Sequence, residues 1–122
     1  PPAAIAAAGL TALRMIQHAP ERRRLLLDNA SWLRVELQHQ GWQIVPGISQ
    51  IIPLQLGDPA LTMHAMNWLL SRGLLVPGIR PPTVPEGESL LRISLTTGHG
   101  TAELEQLTAA LRELRAELKL QN

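Results

Sequence analysis

The 122-residue chain contains no cysteine, no phenylalanine and no tyrosine. Without cysteine it has no disulfide framework, no thiolate metal site and no thiol nucleophile, and one clue to redox compartment is lost. Apart from histidine its aromatic side chains are Trp32, Trp42 and Trp68, too few and too scattered for the stacking platform that single-stranded nucleic acid requires. An excess of one charge is also lacking: 11 basic residues against 10 acidic ones leave +1, which is no nucleic-acid footprint. Arg22-Arg23-Arg24 wraps around a helix start and reads as a solvated turn. Long apolar runs are missing too. Stretches such as Ala3 to Leu10 fall far short of the ~20 residues of a membrane span, and no charged leader precedes an apolar core. The expectation is a soluble, cytoplasmic chain with no targeting segment. His18, His39, His64 and His99 show no metal-ligand spacing, and no serine lies in a Gly-x-Ser-x-Gly turn, which sets metalloenzyme and serine-hydrolase readings aside. Lysine occurs once, as Lys119 near the C-terminal end, where a solvated ammonium complements a helix dipole.

What is present is a 45% hydrophobic sequence, enough for the core of one globular domain. Ile5, Ala8, Ala12, Leu13 and Ile16 predict a helix over 4–18 that Pro20 stops. Pro20 then suits the first turn of a second helix, carried by Leu26, Ala30, Leu33 and Leu37 and ended by Gly41. Trp42 to Val45 reads as a short strand and Gln50 to Leu56 as a better one, alternating Ile52, Leu54 and Leu56. Asp58 before Pro59 is a helix-start signal, since the carboxylate caps free N–H groups and proline suits the first helical position. Leu61, Ala65, Trp68 and Leu69 form that helix's buried stripe, and Gly73 stops it.

Leu74 to Ile79 is expected as a strand, 81–87 as a proline-rich loop, and Leu90 to Leu95 as a strand with Leu91, Ile93 and Leu95 on one face and Arg92 on the other. Leu104, Leu107, Leu111, Leu114 and Leu118 mark a closing amphipathic helix over 101–119. The expected fold is α/β: a small, mainly antiparallel sheet covered by helices and preceded by two helices, with 1–41 as a helical linking segment and 42–122 as the domain proper. The start on Pro1-Pro2-Ala3, without an initiator methionine, reads as a piece of a longer protein.

Val76-Pro77-Gly78-Ile79-Arg80-Pro81-Pro82-Thr83-Val84-Pro85-Glu86-Gly87, followed by Leu90-Leu91-Arg92-Ile93-Ser94-Leu95, resembles the C-terminal signature of the 8-amino-7-oxononanoate synthases, a branch of the α-oxoamine synthases. Ser49-Gln50-Ile51-Ile52-Pro53 and Pro1-Pro2-Ala3 are similar to neighbouring segments of the same family. The resemblance implies the C-terminal small domain of a fold-type I pyridoxal-phosphate enzyme. Such an enzyme is a homodimer that condenses L-alanine with pimeloyl-CoA or a pimeloyl carrier protein. It also implies that Arg92 holds the L-alanine carboxylate, keeping the bond to be broken perpendicular to the cofactor ring, and that Arg80 and Thr83 contact the acyl substrate. The cofactor lysine, ring-stacking histidine and pyridine-facing aspartate would then lie upstream, leaving this chain without catalytic, cofactor-binding or metal-binding residues and inactive alone.

From spacing alone Arg92 reads as a solvent-facing strand arginine and Arg80 as an exposed loop arginine. A guanidinium on a strand face is nonetheless suited to gripping a carboxylate through two parallel hydrogen bonds. Arg80-Pro81 departs from the Tyr-Pro pair typical of aminoketobutyrate ligases and aminolevulinate synthases, which favours the pimeloyl-using branch. Glycines flank His99 where the family more often has alanine and threonine, which puts the capping of the last helix in question. Two other readings remain: a sister synthase of the glycine C-acetyltransferase type, and a non-catalytic α/β interaction module that uses the Leu104–Leu118 stripe.

Overall fold

The structure is a computed structural model that describes the backbone of residues 2–120 and the side chains of residues 19–120. The apolar positions expected on the first helix, Ile5 to Ile16, lie outside the described side chains, as does Pro1.

The first helix, α1 (Pro2–His39), runs unbroken through Pro20, where the sequence predicted a stop and a restart. Proline lacks an N–H and crowds the preceding turn, at a cost of roughly 3 kcal/mol in a helix interior. Strong helix formers on both sides, alanines before it and the Glu21-to-Leu27 run of glutamate, arginine and leucine after it, carry the backbone across with one hydrogen bond fewer. The later turns of α1 enter the core, with Ala30, Leu33 and Leu37 fully buried. The helix ends where Gly41, at φ +99°, lets its own N–H reach Gln38 and the Trp42 N–H reach the Leu37 carbonyl.

Four antiparallel strands follow: β1 (Gln43–Ile44), β2 (Ile51–Gly57), β3 (Gly78–Ile79) and β4 (Ser89–Ser94), in the spatial order β1-β2-β4-β3. β3 is far shorter than the predicted Leu74–Ile79. The Leu74 N–H is spent on the Leu69 carbonyl, closing the preceding helix, and Pro77 has no N–H for a ladder. That preceding helix, α2 (Pro59–Ser71), begins as predicted, with the Asp58 carboxylate accepting the Leu61 N–H at 2.7 Å. Its fully buried residues include Thr62, whose hydroxyl returns to the Asp58 carbonyl at 2.8 Å. A Cβ on Gly78 would lie 3.1 Å from the Thr62 methyl, so the glycine of the Pro77-Gly78-Ile79-Arg80 motif lets β3 approach α2 closely.

The last helix, α3 (Thr101–Glu117), buries Leu104, Leu107, Leu111 and Leu114. Its N-cap, Gly100, has no side chain to offer; only the returning half of a capping box forms, from the Gly100 N–H to Glu103 at 3.0 Å. α1 and α2 lie on the sheet, and α3 packs across both helices. The sheet is therefore covered on one face, where Ile52, Leu54, Leu91 and Ile93 are buried, and open on the other. No described helix is long and apolar enough to cross a membrane.

Candidate functional site

The open face of the sheet carries the candidate site. Arg92 lies near the middle of β4, and because strand side chains alternate it points away from Leu91 and Ile93 and is exposed. Its backbone N–H goes to the Pro77 carbonyl at 2.9 Å, on the β3 side, so its pairing with Pro53 on β2 is a non-hydrogen-bonded one. Side chains come closest in that kind of pair, which puts Pro53 and Arg92 next to one another on the open face. Pro53 is tolerated in an interior strand because its missing N–H would face β1, which is only two residues long. Among the described residues no hydrogen bond or ion pair engages the Arg92 guanidinium, and its five donors are available to a ligand.

Arg80 directly follows β3, where Ile79 pairs with Leu90, two residues before Arg92. Its carbonyl accepts the N–H groups of Thr83 at 3.0 Å and Val84 at 3.4 Å, folding 80–84 into a turn that contains a cis Pro81-Pro82 bond. Arg80 and Thr83 are both exposed. The structure thus brings Arg80 and Thr83 into one turn and sets Arg92 on the adjoining strand; it shows no direct contact between Arg92 and that turn. Two surface clefts, of about 310 Å³ beside His99, Glu103 and Leu107 and about 540 Å³ beside His39 and Arg112, include none of the three residues. With no described element packed against it, the open sheet face forms no enclosed cavity.

Two arginines escaped the sequence reading. Arg115 is buried on α3, donates to the Gly41 carbonyl at 2.8 Å and lies 5.3 Å from the centre of the Trp42 ring, tying α3 to the end of α1. Arg34, on α1, donates to the carbonyls of Ser49 at 2.8 Å and Ile51 at 2.9 Å. Burial lowers the pKa of Arg34 from the ordinary arginine value, which lies so far above neutrality that the group keeps its charge. The one signal for either residue was position, since each directly follows a buried leucine, Leu33 or Leu114.

Comparison with known proteins sets this fold within an enzyme class. The family model "Aminotransferase class I and II" matches residues 1–111, and the chain belongs to that family. Within it, the chain is similar to the 8-amino-7-oxononanoate synthase of Aromatoleum aromaticum, 40% identical over 116 residues that cover 95% of this chain and 30% of that protein. Among solved structures, the serine palmitoyltransferase of Sphingomonas wittichii superposes with a TM-score of 0.80 at 31% identity, over 89% of this chain and 28% of that one. The 8-amino-7-oxononanoate synthase of Francisella tularensis does so with a TM-score of 0.71 at 23% identity, over 92% and 32%, and shows the same fold. Other serine palmitoyltransferase structures that match hold pyridoxal phosphate (PLP). The chain spans about 30% of the length of the curated relatives it matches.

The residues present do not fit the anchoring of that cofactor. Its Schiff base needs a lysine held where desolvation or neighbours lower the amine's pKa. The only lysine, Lys119, is exposed just past α3 at φ +54°, where its backbone N–H caps the helix on the Ala116 carbonyl. A left-handed backbone costs a non-glycine residue roughly 1–2 kcal/mol. Lys119→Gly is therefore expected to stabilise the domain by about 1 kcal/mol, seen as a thermal midpoint a few degrees higher, and to leave cofactor binding by the full-length enzyme unchanged.

Proposed function

We propose that this chain is the C-terminal domain of an 8-amino-7-oxononanoate synthase. Its parent condenses L-alanine with a pimeloyl thioester, releasing carbon dioxide and the thiol of CoA or of a carrier protein and yielding the amino ketone used in biotin synthesis. The observation that carries this reading is the unengaged guanidinium of Arg92 on the open sheet face, within a segment that resembles the signature of those synthases, in a chain 40% identical to a relative of that name. Arg92 grips the alanine carboxylate through two parallel hydrogen bonds and holds the amino acid in one orientation. Arg80 and Thr83, in the turn beside it, contact the acyl substrate, with Arg80 suited to the far carboxylate of a pimeloyl chain.

The electron-withdrawing cofactor of the family, PLP, is held by a lysine outside this chain, and 1–41 links the domain to that larger part. The parent is a cytoplasmic homodimer, and the 122 residues alone are inactive.

A sister synthase is a second reading, favoured by the higher TM-score and identity of the serine palmitoyltransferase match. The two are separated by offering the full-length enzyme L-alanine or L-serine, each with a pimeloyl or a palmitoyl thioester. The proposal expects turnover with alanine and the pimeloyl thioester; turnover confined to serine and the palmitoyl thioester would replace it with the second reading.

A further inference from the structure

The segment leading into β2 is held from two sides. Arg34 takes the carbonyls of Ser49 and Ile51, while the intervening Gln50 carbonyl accepts the Leu95 N–H of the chain just after β4 at 3.0 Å. Ser49 tightens the same turn, its hydroxyl accepting the Ile51 N–H at 3.1 Å. Ile51 pairs with Ser94 and Pro53 with Arg92, so the carbonyls held by Arg34 lie two and four residues before Pro53, the residue directly opposite the candidate carboxylate anchor. A planar guanidinium that bridges two carbonyls fixes both distance and direction, which a single ammonium cannot do.

Arg34 is partly buried, and its Nε is shielded from solvent without a hydrogen-bond partner among the described residues, an unfavourable state for a cationic group. Gly47 lies against the guanidinium: a Cβ there would sit 3.4 Å from Nη2, an ordinary contact that a branched side chain would tighten.

We infer that Arg34 is a positioning residue for Arg92: by bridging the Ser49 and Ile51 carbonyls it sets the start of β2, and through Pro53 it sets where the Arg92 guanidinium meets the amino-acid carboxylate. The inference rests on the reading of Arg92 as that anchor. It is tested in the full-length enzyme by steady-state kinetics on Arg34→Gln, Arg34→Lys and Gly47→Val, the last crowding the guanidinium while leaving Arg34 in place, and by a double-mutant cycle with Arg92→Ala.

The expected result is an alanine KM raised about tenfold in Arg34→Gln, with kcat within about twofold of the parent and the thioester KM unmoved. Arg34→Lys and Gly47→Val should give smaller changes of the same kind, and Arg34→Gln should add little once Arg92 is alanine. Independent effects that multiply in the double mutant, or variants that shift kcat and both KM values together, would overturn the inference and leave Arg34 a scaffold brace. Should Arg92→Ala itself leave alanine use intact, the anchor reading would fall first, and that outcome is read directly from the single mutant.

Discussion

Full-length enzyme carrying Arg92→Ala is expected to use L-alanine ten- to a hundredfold less efficiently while keeping its thermal midpoint. A hydrogen bond to a charged group is worth about 1.5–3 kcal/mol, and each 1.4 kcal/mol is a factor of ten. The loss should appear chiefly in the alanine KM, with the thioester KM little changed. Arg92→Lys should recover only part of it, because an ammonium keeps the charge but cannot make the planar two-point contact. Since Arg92 is exposed and no described residue forms a hydrogen bond or ion pair with its guanidinium, its removal should change stability by no more than about 0.5 kcal/mol. Thermal unfolding beside initial-rate kinetics separates the two effects; a large fall in midpoint would mark Arg92 as a structural residue.

One residue earlier on β4, the opposite result is expected. Leu91 is fully buried, pairs with Leu54 on one side and Gly78 on the other, and belongs to the core shared by sheet and helices. Leu91→Ala removes three methyl-sized groups from a packed interior and should cost about 2–5 kcal/mol, depending on how far the site collapses. For a domain of this size that is a drop in thermal midpoint of roughly 10 °C or more. Leu75→Ala is the matched control: at 76% exposure it should cost less than about 0.5 kcal/mol. Similar midpoints for the two variants would contradict the one-sided sheet and its packing.

Much of this architecture was legible because it is dictated locally. The Leu104-to-Leu114 spacing can bury only one helix face, Asp58-Pro59 supplies both a cap and a pre-set φ, and the alternation through Ile52 and Leu54 suits only a half-covered strand. The same alternation on β4 assigns Arg92 to the face opposite Leu91. What escaped depends on partners distant in sequence. Pro20 reads as a stop by its own chemistry, yet the helix formers around it outweigh one lost hydrogen bond. Leu74 to Val76 reads as a strand by composition, but α2 claims the Leu74 N–H for its own termination. Arg34 and Arg115 look like ordinary surface charges until the chain folds back and sets the Ser49, Ile51 and Gly41 carbonyls before them. The motif named Arg80, Thr83 and Arg92 as site residues; their composition and spacing alone would have left them as solvated polar groups.

The most direct test of the central claim is product formation from L-alanine and pimeloyl-CoA by the full-length enzyme supplied with PLP, with the 122-residue chain assayed beside it. Release of carbon dioxide together with 8-amino-7-oxononanoate by the full-length enzyme, and none by the isolated chain, is the predicted result. A full-length protein that binds the cofactor yet forms no amino ketone from alanine with any pimeloyl thioester would contradict the account.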